Sequence, residues 1–290
     1  MKVGKMNSNL GNTLRKIRKS KGISITAIAD EYLSKSQISR FERGESEISC
    51  VRLINLLNKL NISLEEFINL YQIDNNETKN FWSLLKLIRK EYSLQRTTVL
   101  EALLSKKSQY SLNNLDAIMI KSIISTINTS FLPTDEEMQQ LTDYLFKIEK
   151  WGSYEIILLG NCSRTIKYSA LFLLTKEMLG NYIHSPINTN NKNLVTQLAI
   201  NCFIASIDFG MYADSIYLIS EINRLLQNEF NYYEKTIFLY AKGYFEFKNK
   251  LEQEGEHKML QALKIMEILN EIDVLKQYSE HYQSNCSLKN

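Results

Sequence analysis

Between Ser34 and Cys50 the chain reads SKSQISRFERGESEISC. Lys35, Ser36, Gln37, Ser39 and Arg40 crowd polar side chains into one short helical window, with Ile38 and Phe41 as its apolar positions. Such a face does hydrogen-bonding and electrostatic work. Gln presents a donor and acceptor that match N6 and N7 of adenine, Arg a fork that matches O6 and N7 of guanine, and Lys and Ser suit phosphates or bases. Two plainer readings compete with this one. Gln37 stands three residues after Ser34 and can close a capping box without touching a base, and a short polar helix is often only a solvated face. Glu42 is placed to pair with Lys35 or to position Arg43.

A second set of polar groups follows an apolar run in WGSYEIILLGNCSRTIKYSALFLL. A short apolar helix ends near Gly160 and leaves Asn161 and Arg164 by its C-terminus. Asn offers a donor and an acceptor to a peptide backbone, and Arg forks onto a carboxylate. Asn161 has a competing role as a helix C-cap beside Gly160; Arg164 has no equally good structural role. Catalytic chemistry is not expected. His184, His257 and His281 share no motif, the Asn161–Arg164 run is too short for a phosphate cradle, and neither G-x-x-x-x-G-K nor H-E-x-x-H occurs. Cys50, Cys162, Cys202 and Cys286 show no C-x-x-C spacing, so neither a disulfide scaffold nor a metal is implied, and no cofactor is expected.

These groups must be held by helices. With 2 Pro and 10 Gly in 290 residues, and 44% apolar content, the chain has enough core for two helical domains and too few turn residues for many short strands. Leu10, Leu14 and Ile17 share one face of a first helix that is basic elsewhere, with Arg15 and Arg18 among its cations, and Lys21-Gly22 ends it. Ser24 caps a second helix and Ser34 a third, which Gly44 ends. A fourth runs through Val51 to Leu60, and Ser63 with Glu66 opens a fifth. A second helix, a turn near Tyr32-Leu33 and a helix from Ser34 form the arrangement that lowers a recognition helix into the DNA major groove. The polar stretch after Tyr71 places a boundary there, giving residues 1–71 as a DNA-binding domain, 72–80 as a linker and 81–290 as a helical repeat domain. Eleven amphipathic segments, from about 80–92 to about 272–284, favour antiparallel helix pairs stacked in a superhelix, although no strict 34-residue self-similarity is visible and a helical bundle is the plainer alternative. The Tyr and Phe residues of NYYEKTIFLYAKGYFEF read as packing between helices.

Residues 1–70 hold 12 Lys and Arg against 7 Asp and Glu, so the basic excess of the chain, formally +3, sits in its first quarter. No apolar run approaches the length of a membrane span, and the basic N-terminus lacks a following apolar segment, so a cytoplasmic protein without membrane contact is expected.

With LRKIRKSKGIS before it and LLNKLNISLEEF after, SQISRFERGESEIS resembles the XRE/Cro-type helix-turn-helix family. More closely, SKSQISRFERGESEISC and TDYLFKIEKWGSYEIILLGNCSR are similar to the Rgg family of bacterial transcriptional regulators over essentially the whole chain. The resemblance implies an all-α protein: a five-helix XRE-type domain followed by a right-handed superhelix of tetratricopeptide-like helix pairs. It further implies a homodimer that binds double-stranded promoter DNA and is switched, in quorum sensing, by a short hydrophobic signalling peptide. Arg15, Arg18, Lys35, Ser36, Gln37, Arg40 and Arg43 are then the DNA-facing candidates, with Arg15, Arg18 and Lys35 on phosphates. Asn161 and Arg164 are the leading peptide-pocket candidates, with Arg89, Asn201 and Tyr240 chosen from their position along the array. The Cys matching Cys50 lies between the two DNA-binding domains in Rgg-like proteins and can bridge them; the competing reading is a small buried hydrophobe. One departure is Ile25, where the wider family has a phosphate-contacting Gln, leaving Ser24 or Thr26 to supply that contact. The alternative function is a helical-repeat peptide-binding adaptor or scaffold without sequence-specific DNA binding.

Overall fold

The computed structural model describes residues 8–75, 80–105, 110–183, 191–227 and 229–286. Among these, sixteen α-helices and one short 3-10 helix account for all regular structure, and no strand occurs. The chain divides into two compact units, Met1–Ser83 and Leu84–Asn290. Parts of the expected linker (76–79) and the expected helix end at 107 lie outside the described residues, as does His184.

The first unit contains α1 (Ser8–Ser20), α2 (Ile25–Ile28), α3 (Lys35–Glu42), α4 (Cys50–Lys59) and α5 (Leu64–Asn75). Ser24, Ser34 and Ser49 each accept a hydrogen bond from the backbone N–H three residues on, which satisfies donors that a helix start leaves open. Left-handed residues stop the helices: Gly22 (φ 67°) after α1, Gly44 (φ 71°) after α3 and Asn61 (φ 50°) after α4. Leu14, Ile17, Ile28, Leu33, Ile38, Phe41, Leu56, Leu57, Leu60 and Phe67 form one buried cluster with contributions from every helix. Helices α1 and α3 cross so closely that a Cβ on Gly11 would overlap the carbonyl oxygen of Phe41, so this position in the interior of α1 tolerates no side chain.

The second unit holds α6 (Phe81–Ser93), which begins at its edge, α7 (Thr97–Leu103), α8 (Asn114–Ser125), α9 (Asp135–Leu145), α10 (Ser153–Asn161), α11 (Tyr168–Ile183), α12 (Lys192–Asp208), α13 (Tyr212–Leu226), α14 (Tyr232–Lys248), α15 (Glu252–Ile268) and α16 (Ile272–Asn285). Helices α8, α10, α12 and α14 pack in that order, while α9, α13 and α15 lie against α8, α12 and α14. The capping boxes at Thr134–Glu137 and Asn113–Asp116 start α9 and α8. The hydrogen bonds between successive layers have a common interval. Tyr154 Oη bonds Asp116 Oδ1 at 2.9 Å, Gln197 Nε2 bonds Glu234 Oε1 at 2.8 Å, Tyr244 Oη bonds Asp208 Oδ1 at 2.6 Å and Tyr240 Oη meets His281 Nδ1 at 2.9 Å, across separations of 38, 37, 36 and 41 residues. One helix pair with its loops spans that interval, so each pair rests on the next although the sequence repeats no residues. Where Gly is absent, Gln95 (φ 56°), Lys250 (φ 70°) and Asn270 (φ 58°) take the left-handed conformation after α6, α14 and α15, a strain of about 1 kcal/mol or more for the Gln and Lys.

Helices α14 and α15 form the tightest pair, because Gly243 faces Gly255 with no side chain between the backbones. A Cβ on Gly255 would overlap Phe247 N and lie 2.5 Å from Gly243 O. Ala is favoured over Gly by about 1 kcal/mol in an isolated helix. Gly255→Ala should nevertheless lower stability, by about 1–3 kcal/mol, since the backbones have to part. A urea titration followed by far-UV circular dichroism reads the sign directly; a more stable variant would mean that the pair is looser than described.

Candidate functional site

Helix α3 is held by a buried ion pair. Arg18 on α1 donates from Nε to Glu42 Oε1 at 2.6 Å and from Nη2 to Glu42 Oε2 at 2.8 Å, and its Nη1 reaches the Ile23 carbonyl at 2.7 Å. Both residues are buried, at 7% and 4% exposure. The hydrogen bonds to Glu42 raise the Arg18 pKa against the opposing effect of burial. This corrects the expectation for Arg18, whose guanidinium is consumed inside the unit and cannot reach a phosphate. Glu42 pairs with neither Lys35 nor Arg43.

The turn between α2 and α3 is organised by Asp30. Its Oδ1 accepts from Tyr32 N at 2.9 Å and Leu33 N at 2.7 Å, forming an Asx turn. Its Oδ2 accepts from Asn55 Nδ2 at 3.0 Å and is paired with Lys59, whose Nζ also donates to the Ile28 carbonyl at 3.0 Å. The Lys59 hydrogen bond is the main reason why the Asp30 carboxyl sits below its ordinary pKa. Thus α1 fixes the far end of α3 and α4 fixes the turn before it.

On that frame α3 turns Lys35, Ser36, Gln37 and Arg40 to solvent, with Ile38, Phe41 and Glu42 inward. Among the described residues the guanidinium of Arg40 and the ammonium of Lys35 make no hydrogen bond or ion pair, and Arg15 on α1 is likewise exposed. Gln37 closes the capping box: its Oε1 accepts from Ser34 N at 2.9 Å and its backbone N–H donates to Ser34 Oγ at 3.4 Å. The plainer reading of Gln37 therefore holds for its oxygen, while its Nε2 stays available. Arg43, the C-cap residue, donates from Nε to Glu45 Oε1 at 2.6 Å, from Nη2 to Oε2 at 2.8 Å and from Nη1 to Ser39 Oγ at 2.5 Å. Ser24 caps α2, Ile25 is half-buried and Thr26 is exposed, so of the two stand-ins Thr26 has the freer side chain. Cys50 is free and exposed at the start of α4, beside Val51 at 76% exposure and Ile54 at 40%.

In the second unit Arg164 is exposed and its guanidinium makes no hydrogen bond or ion pair among the described residues. Its charge reaches Tyr278 and His281 on α16. Burial lowers the His281 pKa, Asp208 opposes that, and Arg164 and Lys248 add to it. Asn161 is exposed, but its Nδ2 donates to the Ile157 carbonyl at 2.9 Å and lies 3.8 Å from Met119 Sδ, so its amide mainly closes its own helix. Asn201 is exposed on α12. Arg89 is exposed on α6, which Tyr92 ties to Thr126 at 3.1 Å, and no described contact joins it to Arg164. Tyr240 corrects a second expectation. It is 0% exposed, its hydroxyl is satisfied by His281 Nδ1 and by the Tyr278 carbonyl at 3.2 Å, and its ring stacks edge-on with Tyr278 at 4.8 Å. It is a strut between α14 and α16 with no surface to offer a ligand. The sequence pattern singled out neither Tyr278 nor Lys248 and set His281 aside for want of a motif, because only the stacking of distant helices brings Tyr278 and His281 within range of the Arg164 charge and Lys248 within range of His281. No group of three or more His, Cys, Asp or Glu is placed to hold a metal among the described residues.

The short α2, the Asp30 turn and an outward polar α3 define a helix-turn-helix protein, and residues 14–67 match the helix-turn-helix family. Residues 99–280 match the family described as HTH-type transcriptional regulator Rgg, C-terminal domain. The chain belongs to the Rgg family of transcriptional regulators. It is similar to the Streptococcus dysgalactiae SHP pheromone receptor Rgg2, at 50% identity over 95% of this chain and 99% of that one, with a TM-score of 0.82. A Cys-to-Ser variant of that receptor matches at 49% identity over 95% and 98% of the two chains, with a TM-score of 0.83. The PrgX/cCF10 complex shares the fold at 16% identity, over 95% of this chain and 99% of that one, with a TM-score of 0.69.

The Arg18–Glu42 pair can be tested by removing one partner or both. Glu42→Leu, which strands the buried guanidinium, should destabilise the protein by about 3–5 kcal/mol, whereas Arg18→Met with Glu42→Leu should recover most of that loss. Urea unfolding of the three proteins checks this; equal losses in the single and double variants would mean that the pair is not the restraint described.

Proposed function

We propose that the chain is a cytoplasmic, homodimeric regulator that binds promoter DNA through α3 and is switched by a short hydrophobic peptide held on its helical array. The observation that carries the reading is the pairing, in one Rgg-family chain, of an exposed cationic recognition helix with an unpaired Arg164 on the array. It acts by binding rather than catalysis. Lys35, Ser36, Arg40, Arg43 and the Gln37 amide meet DNA from α3 and its C-cap, and Arg15 meets phosphate from α1. Residues 1–71 serve as the DNA-binding domain, 72–80 as linker and 81–290 as a tetratricopeptide-like superhelix whose concave face takes the peptide. The SHP receptor Rgg2 supports the peptide as ligand. No helix among the described residues is long and apolar enough to cross a membrane, which suits a regulator that works on DNA.

Arg164 is assigned to a carboxylate of the peptide, with Asn161 and Asn201 toward its backbone and Arg89 at the far end of the array. A ligand can shift DNA affinity only through different affinities for the two states, and a coupling of about 1–3 kcal/mol corresponds to roughly 5- to 150-fold. Titration calorimetry with synthetic hydrophobic peptides bearing one acidic residue should give binding to the native protein and none to Arg164→Ala, while fluorescence anisotropy shows peptide-free duplex binding unchanged. Equal peptide affinity in both proteins removes Arg164 from the site. Failure to bind any duplex overturns the regulator itself.

Cys50 is assigned to the interface between two copies. Cys162, Cys202 and Cys286 are buried, and burial pushes their thiols up to about 12, about 12 and about 11, so little thiolate is present on them near neutral pH. Mild oxidation should therefore give a covalent dimer on a non-reducing gel, and Cys50→Ser should remain dimeric by light scattering yet never cross-link. Cross-linking retained in Cys50→Ser would move the interface elsewhere.

A further inference from the structure

Just beyond the recognition helix, Glu45 places a carboxylate on the surface expected to meet DNA. An acidic group there opposes binding to any polyanion, so its position calls for an explanation. Its two oxygens take the Nε and Nη2 edge of Arg43 at 2.6 and 2.8 Å, side by side, in the planar fork that arginine and carboxylate share. Ser39, one turn back on α3, accepts from Nη1 at 2.5 Å. Three of the five guanidinium N–H groups are thereby used, all by groups anchored on α3 or its C-terminal loop. Two remain.

We infer that Glu45 is a specificity-determining positioning residue: it holds the Arg43 guanidinium in one orientation and offsets its charge, so that Arg43 acts on DNA as a directed hydrogen-bond donor rather than as a loose cation. The inference rests on the DNA-binding reading above. A free arginine at this place would swing to whichever phosphate is near and add affinity for every sequence. A braced arginine, close to neutral with its partner, adds little to that background and contributes only where an acceptor meets its two remaining N–H groups. The mutual effect on the two groups agrees: hydrogen bonding to Arg43, with a smaller contribution from Arg40, lowers the Glu45 pKa, and Glu45 raises that of Arg43. Both side chains are about half exposed, at 47% and 50%, so the pair adds little to fold stability and is separable from it. Lys could not replace Arg43, because an ammonium has the charge without the planar fork.

The test uses the full-length protein, a randomised duplex pool, and the duplex that the native protein enriches from it. Glu45→Gln should bind random duplex more tightly and steepen its salt dependence by about one unit, which is roughly a threefold larger loss between 50 and 200 mM salt. The ratio of selected to random affinity should fall roughly tenfold in Glu45→Gln and equally in Arg43→Lys. The double variant should fall no further than either single one, since the two residues act as a unit. Unfolding midpoints should not move. An unchanged ratio in Glu45→Gln, or single effects that add fully in the double variant, would overturn the inference. If the native protein enriches no duplex at all, the DNA-binding reading fails and this inference goes with it.

Discussion

The geometry of the first unit depends on one buried ion pair. Arg18 and Glu42 stand 24 residues apart and meet with almost no water around them, so neither charge has an alternative partner and the two helices that carry them cannot drift apart. The contact between Gly11 and Phe41 brings the same helices to backbone distance at another point. With α1 holding one end of α3 and Asp30, Asn55 and Lys59 holding the turn before the other, α3 has little freedom to tilt. The charges left outside follow from this arrangement: once the interior has taken Arg18 and Glu42, Arg15, Lys35 and Arg40 remain as surface cations.

The second unit solves a different problem with weaker parts. Its helices carry aromatic and aliphatic residues around much of their circumference, and packing alone would permit several registers between layers. Tyrosine hydroxyls resolve the choice, because a half-buried hydroxyl that finds no acceptor is costly. Tyr154 on Asp116, Tyr168 on Asp214 at 2.7 Å and Tyr244 on Asp208 each close one layer onto another. Burial and the neighbouring carboxylate both push these phenols above their ordinary range, so they remain donors throughout the accessible pH range. The same logic makes Tyr240 a strut: a residue between α14 and α16 with both sides of its hydroxyl engaged serves stacking first.

Exposed charge in this protein is of two kinds, free and braced. Lys35, Arg40 and Arg164 are unpaired among the described residues, and an unpaired cation on a surface retains its full capacity for an anionic partner. Arg43 is braced, with Glu45 and Ser39 taking three of its N–H groups. In the first unit both kinds lie within one turn of each other, Arg40 free on α3 and Arg43 braced at its C-cap.

Much of the architecture was legible before any tertiary structure. Capping serines, αL glycines and apolar periodicity are local properties, governed by interactions within a few residues, and they placed all five helices of the first unit and the eleven of the second in order. The same locality explains why Ser34–Gln37 and Thr134–Glu137 could be read as capping boxes directly. Helix ends were less legible: α7 and α9 stop short of their apolar patterns, which continue into the turns that follow. The family came from motifs in both halves of the chain. Pairing across the chain was not legible at all. That Arg18 belongs to Glu42 rather than to DNA, that Asp30 belongs to Lys59, that Tyr240 is spent on His281 and that the charge of Arg164 is felt on α16 are consequences of helices meeting after long separations in sequence. Nothing in the local pattern of a polar residue distinguishes one that will be buried against a distant partner from one that stays in water, so the sequence by itself determined the elements and their outward character, and the tertiary structure alone decided which charges remain free to act.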